Sequence, residues 1–502
     1  MKRNGATTPI WDDGRLKESV ASLDGATTAD VCVVGAGIAG LSVAYSLCLE
    51  GMSVVVLDAR YPGSGETART TAHLSNALDD RYAHLEKVHG RDGARLAAGS
   101  HTQAIDHIER VADVERIACA FERLDGYLFL KDGDHSTDVL EGELAASHRA
   151  GLSDVELTSS PLGGAKSSPC LRFPRQAQFD PLAYLAGLVR AVRSMGGRIF
   201  SGAEATEFDD KHVRVKTRRG ETITSNAIVV ATNTPINDRV TIHTKQAAYR
   251  TYAIALRMPA NAFGSLMWDT GDPYHYVRAA HRSGGDLLIV GGEDHKTGQS
   301  DDDPEEYFAR LVEWARIHFP FAEDVAFQWS GQVLEPNDGL AFIGRNPGDN
   351  NIFIVTGDSG HGMTHGTLAG LILPDLIAQR PNPWASLYNP GRVRLGAITE
   401  FTAENTNVAA QYLDLVKPGE VESESEIPLG SGAIVREGLN RIAVYKDDNG
   451  VVHRHSAICP HLGCSVTWNS VEKTWDCPCH GSRFSGDGSL LNGPATSALR
   501  SA

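Results

Sequence analysis

The sequence predicts an α/β fold in which a doubly wound dinucleotide-binding domain is interleaved with an antiparallel sheet, followed by a small all-β domain. Three observations lead to this fold class. A chain of 502 residues is too long for one hydrophobic core. A strand, a glycine-rich turn, a helix and a second strand follow one another over residues 30–58. Cysteine and histidine residues cluster within residues 459–480, beyond a Pro- and Glu-rich stretch.

The composition is that of an acidic globular protein, with a net charge of −16, 22% charged residues and 41% hydrophobic residues. Nucleic-acid binding needs a positive patch, and no run of basic residues supplies one. The segment Met1–Asp13 lacks the apolar core of a signal peptide. No apolar stretch approaches the roughly 20 residues of a membrane span. We therefore expect no nucleic-acid partner, no membrane span and a cytoplasmic location.

Helix and strand patterns alternate along most of the chain. Residues from about 80 to 150 look helical and charged, and residues 198–231 alternate like a β-meander. Several strand-like runs fall within residues 244–295. A strand at residues 352–355 leads into a helix that we expect from Met363 to Ala378.

These patterns divide the chain into an oxidoreductase-like unit at residues 1–395, a linker with some helix at residues 396–427, and an all-β domain at residues 428–502. The first unit alternates between two kinds of segment. The dinucleotide-binding parts are about 28–80, 180–235 and 335–380, and the substrate (cap) parts are about 81–179 and 236–334.

The turn after the first strand carries the spacing G-x-G-x-x-G at Gly35, Gly37 and Gly40. Gly35 allows the tight turn, Gly37 lets a pyrophosphate approach the backbone, and Gly40 lets helix and strand pack closely. The helix N-terminus supplies N–H donors and partial positive charge. Asp58, eighteen residues after Gly40, is in position to accept hydrogen bonds from ribose hydroxyls. The motif predicts a bound dinucleotide.

Two further segments identify the dinucleotide. Gly63-Ser-Gly-Glu-Thr-Ala-Arg-Thr-Thr-Ala-His73 follows the second strand, and Gly357-Asp-Ser-Gly-His-Gly-Met-Thr364 opens a late helix. With the first motif, they resemble the D-amino-acid oxidase/glycine oxidase superfamily of FAD enzymes over roughly residues 28–380. The resemblance implies FAD, contacted by the loop after the second strand, by the late helix end and by one adenine-side residue. The residues so implicated are Thr67, Ala68, Arg69, Thr70, Thr71, Ala205, Gly360, His361, Gly362 and Met363.

Three details refine this interpretation. Asn233 stands where the family usually has a glycine, which puts the backbone geometry of that turn in question. Some family members attach FAD covalently through His or Cys, but we expect His73 to pack or to form hydrogen bonds instead. The sequence contains one dinucleotide fingerprint, whereas NAD(P)H-fed flavoprotein reductases usually carry two. We therefore expect the electrons to come from an organic substrate.

Eight cysteines divide into two groups. Cys32, Cys48, Cys119 and Cys170 are scattered and are expected to be buried hydrophobic residues. The other four lie in Cys459-Pro-His-Leu-Gly-Cys464 and Cys477-Pro-Cys-His-Gly-Ser482, with ligand spacing C-x-H and then C-x-x-H. Two cysteines and two histidines could hold zinc, or the cysteines could form a disulfide knot.

The combination of these two segments resembles the Rieske domain, over roughly residues 427–502. The resemblance implies a [2Fe-2S] cluster held by Cys459, His461, Cys477 and His480. It also implies a disulfide between Cys464 and Cys479, as in the Rieske proteins of respiratory and photosynthetic complexes. In the respiratory proteins a tyrosine hydroxyl bonds a ligand sulfur, and here that position is Phe484. We therefore expect a lower midpoint potential than theirs.

The substrate site is predicted on the strand-like run Asp272–Arg278. Tyr274, Tyr276 and Arg278 would share one face of a strand, where Arg278 could pair with a substrate carboxylate. The same residues could equally form an ordinary solvated strand face. We take Tyr276, Arg278 and His361 as the candidate catalytic residues. Weaker candidates for the substrate site are Lys245, Tyr249 and Tyr252.

The sequence favours an FAD-dependent dehydrogenase that oxidises a small organic substrate at a C–H beside nitrogen or at an alcohol carbon. The cluster would accept the electrons and pass them to an external acceptor, such as a ferredoxin-like protein or a quinone. Amino acid, N-methylated amine, polyamine derivative and hydroxy acid all fit as substrates. The rivals are an oxidase or monooxygenase with a structural or regulatory cluster, and a non-enzymatic redox carrier or sensor that has no substrate-sized cavity.

Overall fold

The structure is a computed structural model that describes residues 5–17, 21, 23–161, 168–237, 240–282, 284–300 and 302–502. The α-helices of this part of the chain are α1 (Ile38–Leu49), α2 (Tyr82–Val114), α3 (Asp138–Arg149), α4 (Pro181–Ser194), α5 (Pro304–His318), α6 (Gly362–Ile377), α7 (Ala385–Tyr388) and α8 (Ile398–Gln411). Short 3₁₀ helices lie at Glu66–Arg69, His243–Lys245, Leu395–Ala397, Tyr412–Val416 and Glu424–Glu426.

The strands of the first 395 residues are β1 (Thr27–Thr28), β2 (Val31–Val34), β3 (Val54–Leu57), β4 (His73–Leu74), β5 (Glu122–Phe129), β6 (Glu156–Ser159), β7 (Pro169–Gln178), β8 (Arg198–Phe200), β9 (Ala205–Asp209), β10 (Arg214–Thr217), β11 (Thr222–Thr224), β12 (Ala227–Val230), β13 (Gln246–Arg257), β14 (Leu266–Asp269), β15 (His275–Ala280), β16 (Leu287–Lys296), β17 (Val325–Pro336), β18 (Phe342–Arg345) and β19 (Ile352–Thr356). The C-terminal strands are β20 (Ser431–Glu437), β21 (Asn440–Lys446), β22 (Val452–Ser456), β23 (Thr467–Asn469), β24 (Thr474–Asp476), β25 (Arg483–Ser485) and β26 (Leu490–Asn492).

The dinucleotide-binding part is built on a six-stranded sheet in the order β18-β19-β12-β2-β3-β8. All of its pairings are parallel except that of β18 with β19. Strand β2 is apolar throughout because both of its faces are covered. Val31 and Val33 pack with α1 and α6, whereas Cys32 and Val34 pack with the meander β9–β11. The carboxyl ends of the parallel strands are thus held at one edge.

The substrate part is one mixed sheet in the order β17-β13-β16-β15-β14-β5-β7-β4, with β6 paired to β7. Its strands come from two stretches of sequence on either side of α4, as the interleaved domain plan predicts. Ile254 and Leu256 on β13 pack against α5, and Ala253 and Ala255 face the dinucleotide part. Because alternate residues of β13 point to opposite faces, the sheet packs on α5 with one face and on the cofactor-binding core with the other. The charged stretch that we predicted as helical holds α2 and α3 but also strand β5.

The C-terminal domain consists of two antiparallel sheets, β20–β22 and β23–β26. They enclose a small core that includes Ile434, Trp475 and Phe484. The segment before it is not a free tether. In α8, Glu404 pairs with Lys296 at 2.7 Å and Asn407 accepts a hydrogen bond from Gln299, while Tyr412 donates to the backbone oxygen of Leu462. The predicted linker is therefore attached to both domains. None of the helices within the described residues has the length and apolar character needed to cross a bilayer.

A buried carboxylate joins the two domains. Glu472, in the loop between β23 and β24, has a side chain with no exposed surface. Its Oε1 lies 2.8 Å from Nη1 of Arg69 and 3.5 Å from Nη2 of Arg250, and it also accepts a hydrogen bond from the Ser330 hydroxyl. Burial favours the neutral acid, but the charges of Arg69, Arg250 and Arg483 outweigh it and lower the pKa of Glu472 to about 2. The charged pair network fixes the C-terminal domain against the loop that follows β3.

Neutralising this carboxylate should destabilise the protein. In Glu472→Gln the buried Arg69 and Arg250 lose their counter-charge, which for a buried pair costs about 3–5 kcal/mol. We expect a clearly lower thermal midpoint by circular dichroism at pH 7. Because the folded-state pKa lies below the ordinary 4.5, the stabilisation is complete above that pH and is lost as the pH falls toward 2. The difference between wild type and variant should therefore shrink in acid.

The matched control is Glu207→Gln, which breaks the exposed pair with Lys216 and should change the stability by less than about 1 kcal/mol. An E472Q midpoint equal to that of the control at pH 7 would contradict the assigned role.

Candidate cofactor sites and substrate cavity

The glycine turn after β2 has the geometry that a dinucleotide site requires. Gly35 has φ +103°, and a Cβ there would lie 2.3 Å from the Ala231 oxygen. A Cβ on Gly40 would lie 1.9 Å from the Gly35 oxygen, so the helix could not pack as it does. Helix α1 begins after Gly37, which has no side chain to cap it, and the N–H of Ile38 donates to the Thr67 hydroxyl at 3.1 Å. The positive end of the helix borders the cavity, where it favours an anion.

Asp58 stands at the end of β3, beside this turn. Its Oδ2 accepts the N–H of Ala36 at 2.9 Å and its Oδ1 accepts the N–H of Arg60 at 2.8 Å. Burial raises the pKa of Asp58, and these two hydrogen bonds oppose the shift. The carboxylate therefore braces the turn while it borders the same cavity, as a ribose-binding acid would.

A cavity of about 410 Å³ runs from this turn toward the substrate sheet. Most residues implicated by resemblance line it, whereas Gly40 acts through helix packing and Ala68 is part of the hydrophobic core. The predicted residues on the cavity wall are Gly35, Gly37, Asp58, Thr67, Arg69, Thr70, Thr71, Ala205, Gly360, His361, Gly362 and Met363. A helix N-terminus, a buried acid and this cavity together fit FAD.

The late helix also turns its N-terminus to the cavity. Helix α6 begins at Gly362, and its N-cap residue His361 makes no side-chain cap. Gly360 has φ +69°, and a Cβ there would lie 2.1 Å from Oδ2 of Asp79. The close approach of Asp79 and the turn explains why glycine occupies this position. The positive end of the helix dipole favours negative charge at this part of the cavity.

Asn233, at the turn after β12, has φ +64° and lines the cavity. Asparagine tolerates the left-handed region better than most residues, so the turn keeps the geometry that a glycine would give. His73 also lines the cavity, with Nδ1 3.1 Å from the Thr71 hydroxyl and Nε2 3.2 Å from the Val277 oxygen. Burial lowers the pKa of His73 to about 3. Both ring nitrogens are thus engaged, as the expected hydrogen-bonding role requires.

The C-terminal domain supplies part of the cavity wall. Asn492 lines the cavity and donates to Oε1 of Glu66 at 2.9 Å, and Arg218 donates to the Thr496 oxygen at 3.2 Å. The sequence analysis missed this contribution because no local pattern relates β26 to a nucleotide site. The residues that this domain contributes are Leu490, Leu491, Asn492, Gly493, Ala495 and Thr496.

The substrate end of the cavity is lined by Tyr274, Tyr276 and Thr251. The hydroxyls of Tyr276 and Thr251 are 2.8 Å apart, and Tyr274 donates to Oδ2 of Asp79 at 3.0 Å. Oδ1 of Asp79 lies 3.2 Å from Nε2 of His361. Burial alone would lower the pKa of His361, but the nearby Asp79 carboxylate raises it overall. Burial raises the pKa of Tyr276, so its hydroxyl stays protonated at neutral pH.

Arg278 does not take the substrate-binding role that the strand pattern suggested. Its guanidinium donates to the backbone oxygens of Thr71, Ala72, Phe179 and Ala279, and it does not line the cavity. Burial lowers its pKa to about 9. Strand β15 extends past the cavity at this point, so Arg278 packs beneath the FAD loop and holds its backbone. Arg278 is corrected to a structural residue.

The weaker candidates also lie off the cavity wall. The ammonium of Lys245 donates to the backbone oxygens of Pro390 and Arg392. Tyr252 stacks on Tyr307, with ring centroids 4.7 Å apart. Tyr249 is likewise absent from the residues that line the cavity in the described part of the chain.

The four predicted cluster ligands converge in the C-terminal domain. The Cys459 and Cys477 thiols are within hydrogen-bonding reach of each other, and the His461 and His480 rings are 5.0 Å apart. Backbone N–H groups two and three residues downstream point at each sulfur. Nδ1 of His480 is buried and makes no hydrogen bond within the described residues. Two thiols on one side and two imidazoles on the other fit a Rieske cluster.

The other cysteines behave as expected. Cys464 and Cys479 form a disulfide with a Cα–Cα distance of 6.4 Å, which ties the two ligand-bearing loops together. Free and buried thiols occupy the four scattered positions, Cys32, Cys48, Cys119 and Cys170.

The histidine side of the cluster site is turned toward the flavin domain. The ring of His243, which is 3% exposed, lies 5.3 Å from the ring of His461 and 6.3 Å from that of His480. His243 belongs to the short helix before β13. The first domain therefore covers part of the edge that carries the ligand imidazoles, whereas His461 stays partly exposed and His480 is buried.

One side-chain hydroxyl of the C-terminal domain reaches a ligand sulfur. Ser482, fully buried, hydrogen-bonds the sulfur of Cys459 and also accepts the N–H of Ala495 at 3.0 Å. Phe484 is fully buried in the same core, where it has no hydroxyl to offer. Among the described residues, the Ser482 hydroxyl therefore serves the sulfur of Cys459, and Phe484 adds no second hydroxyl.

Phe484→Tyr should raise the midpoint potential of the cluster, because a new hydroxyl donor stabilises the more negative reduced form. Ser482→Ala should lower it by removing the existing donor. Redox titration followed by EPR measures both shifts. Potentials that stay at the wild-type value in both variants would refute the hydrogen-bond account.

Gly40→Ala should abolish FAD binding, because its Cβ would lie 1.9 Å from the Gly35 oxygen. The matched control is Gly99→Ala in α2, where the new Cβ meets no atom within 4 Å. The measurement is the FAD-to-protein ratio of the purified variants. Full flavin content in G40A would contradict the role of this helix–turn contact.

Comparisons with known proteins agree with this geometry. The family model described as FAD dependent oxidoreductase matches residues 30–376, and the model described as Rieske [2Fe-2S] domain matches residues 417–502. The chain is 30% identical to the putative Rieske 2Fe-2S iron-sulfur protein YhfW of Bacillus subtilis (strain 168), over 99% of this chain and 97% of that protein.

Two other proteins resemble the first domain. Gamma-glutamylputrescine oxidoreductase of Escherichia coli (strain K12) is 27% identical over 73% of this chain and 88% of its own length. The crystal structure of glycine oxidase from Geobacillus kaustophilus superposes with a TM-score of 0.62 at 18% identity, and covers 73% of this chain and 99% of that one. The chain therefore belongs to the FAD-dependent oxidoreductase family of the D-amino-acid oxidase type, and it carries a C-terminal Rieske [2Fe-2S] domain.

Proposed function

We propose that this enzyme dehydrogenates a small amine, amino acid or related organic substrate, and that the electrons leave through the Rieske cluster to an external acceptor. The observation that carries the proposal is the contact between the two sites. Residues of β26 and the turn after it line the flavin cavity, and the ligand histidines pack against His243 of the flavin domain. A cluster domain that forms part of the cofactor cavity wall is suited to take electrons from the flavin.

Within the proposed range of substrates, the cavity favours an amine without an essential carboxylate. Its polar groups at the substrate sheet are the hydroxyls of Tyr274, Tyr276 and Thr251, together with the Asp79 carboxylate. With Arg278 engaged by backbone oxygens, the guanidinium groups on the described cavity wall are those of Arg60 and Arg69, both on the loop after β3. The names of the E. coli relative and the glycine oxidase also refer to substrates that carry nitrogen.

Bound FAD would supply a two-electron acceptor and the cluster a one-electron acceptor. The chain's own residues prepare the site for them. The α6 N-terminus favours negative charge in the cavity. Tyr276, kept protonated by burial, orients a substrate through its hydroxyl rather than as a base. The Asp79 carboxylate raises the pKa of His361, and Tyr276 and His361 stay proposed members of the catalytic site.

The rival functions predict different properties of the cavity and of the cluster. A pure carrier or sensor needs no substrate-sized space, whereas the cavity here extends to Tyr274 and Tyr276. An oxidase would react with oxygen and leave the cluster idle, although the C-terminal domain forms part of the cavity wall. The external acceptor that fits is a one-electron carrier such as a ferredoxin-like protein, or a quinone. The cytoplasmic location stays a prediction.

The proposal is tested by mixing the holoenzyme anaerobically with a panel of diamines, N-methylated amines, amino acids and hydroxy acids. At least one amine should bleach the flavin absorbance, and the EPR signal of the reduced cluster should follow with the same substrate. We expect amines to act at lower concentration than amino acids, because the substrate end of the cavity carries Asp79 and no described guanidinium.

The same substrate is then tested under air. Stoichiometric peroxide with a cluster that stays oxidised would contradict the dehydrogenase proposal and support the oxidase. Bleaching by hydroxy acids alone would contradict the amine class.

A further inference from the structure

The ligand loop of the cluster touches the wall of the flavin cavity at one side chain. Gln332 on β17 is 2% exposed, and its Nε2 donates to the backbone oxygen of Gly481 at 2.9 Å. Gly481 directly follows the cluster ligand His480. The acceptor of this hydrogen bond therefore belongs to the residue next to a cluster ligand.

The other end of Gln332 belongs to the cavity. The residue lines the cavity beside Gly331, and its backbone N–H donates to Oε2 of Glu66 at 2.8 Å. Its Oε1 is buried and has no hydrogen-bond partner within the described residues. Because that oxygen exposes no surface to the cavity, other atoms of Gln332 form this part of the cavity wall.

The contact is close and rigid. Gly481 has φ +74°, and a Cβ there would lie 2.4 Å from Cβ of Ala248 and 2.7 Å from Nε2 of Gln332. The N–H of Gly481 bonds the Cys477 oxygen at 3.0 Å, which closes the ligand loop on itself. The loop thus presses directly on β13 and β17, with no room for another side chain between them.

The other contacts described between the domains lack either a residue on the cavity wall or a residue next to a cluster ligand. Asn492 bonds Glu66 on the cavity wall but is twelve residues from the nearest ligand, His480. Gln299 bonds the Pro478 oxygen, next to Cys477, but does not line the cavity. His243 contacts the ligand rings and is likewise off the wall. Among the described interdomain hydrogen bonds, the bond from Gln332 to Gly481 joins a residue that lines the cavity to a residue next to a cluster ligand.

We propose that the carboxamide of Gln332 is the electron-transfer bridge between the flavin and the Rieske cluster. This inference rests on the proposed function. Substrate oxidation removes two electrons and two protons from the substrate C–N unit, and both electrons enter the flavin. The cluster takes them one at a time, each reducing one ferric ion to ferrous. A one-electron carrier protein must reoxidise the cluster between the two transfers. The path runs from the cavity wall along the Gln332 side chain, and through Nε2, to Gly481 and His480.

The bridge is tested on the holoenzyme without any substrate. A light flash in the presence of a deazaflavin photoreductant and a sacrificial donor adds single electrons anaerobically, and absorbance follows their exchange between flavin and cluster. In Gln332→Leu the exchange should be severalfold slower than in wild type. The matched control is Gln328→Leu, on the exposed part of the same strand, which should keep the wild-type rate.

Three further measurements separate a bridge from other roles. FAD content, the EPR spectrum of the reduced cluster and its midpoint potential should be the same in Q332L as in wild type. A slower exchange that is accounted for by a shifted potential would overturn the bridge, because Gln332 would then tune the cluster. If Q332L does not retain both cofactors, Gln332→Met, which keeps the side-chain length without the amide, is measured in its place.

The outcomes also distinguish this inference from the proposed function. Exchange in wild type that continues at the same rate in the Gln332 variant overturns the bridge alone. A wild-type enzyme that holds both cofactors and shows no exchange overturns the proposed exit of electrons through the cluster, and the bridge with it.

Discussion

The two halves of this protein depend on one buried carboxylate. Glu472 enters the first domain from the loop between β23 and β24 and meets Arg69, which belongs to the FAD loop, and Arg250, which belongs to the substrate sheet. Three separate parts of the chain thus share a single ionic contact that water does not reach. Burying charges costs free energy that only good geometry offsets, so the network specifies one arrangement of the domains. The position of the cluster relative to the cavity follows from it.

The features that were predictable from sequence are those whose physical cause is local. Gly35 and Gly40 are required by backbone contacts within one turn, and the ligand spacing around Cys459 and Cys477 is set by two short loops. Both kinds of constraint produce a residue spacing that can be recognised in the sequence. Asn233 shows the limit of such patterns, since the family's usual glycine is absent and the left-handed backbone is kept.

The features that sequence could not predict are those assembled from distant segments. Strand periodicity correctly grouped Tyr274 with Tyr276, but it could not show that the cavity ends before Arg278, which instead bonds the backbone of the FAD loop. Gln332, Asp79 and Asn492 matter because of what lies across from them, and a single sequence carries no sign of those neighbours. The same holds for Glu472, which in the sequence is one acidic residue among many.

Because the C-terminal domain forms part of the flavin cavity wall, the order of synthesis along the chain decides when that cavity is completed. The wall residues of this domain, Asn492 and Thr496 among them, come later in the chain than the other residues of the cavity wall, which are complete by residue 366. The cavity therefore gains its complete wall only after the C-terminal domain has been synthesised and has packed on the first domain, so the folding of one domain completes a binding site of the other.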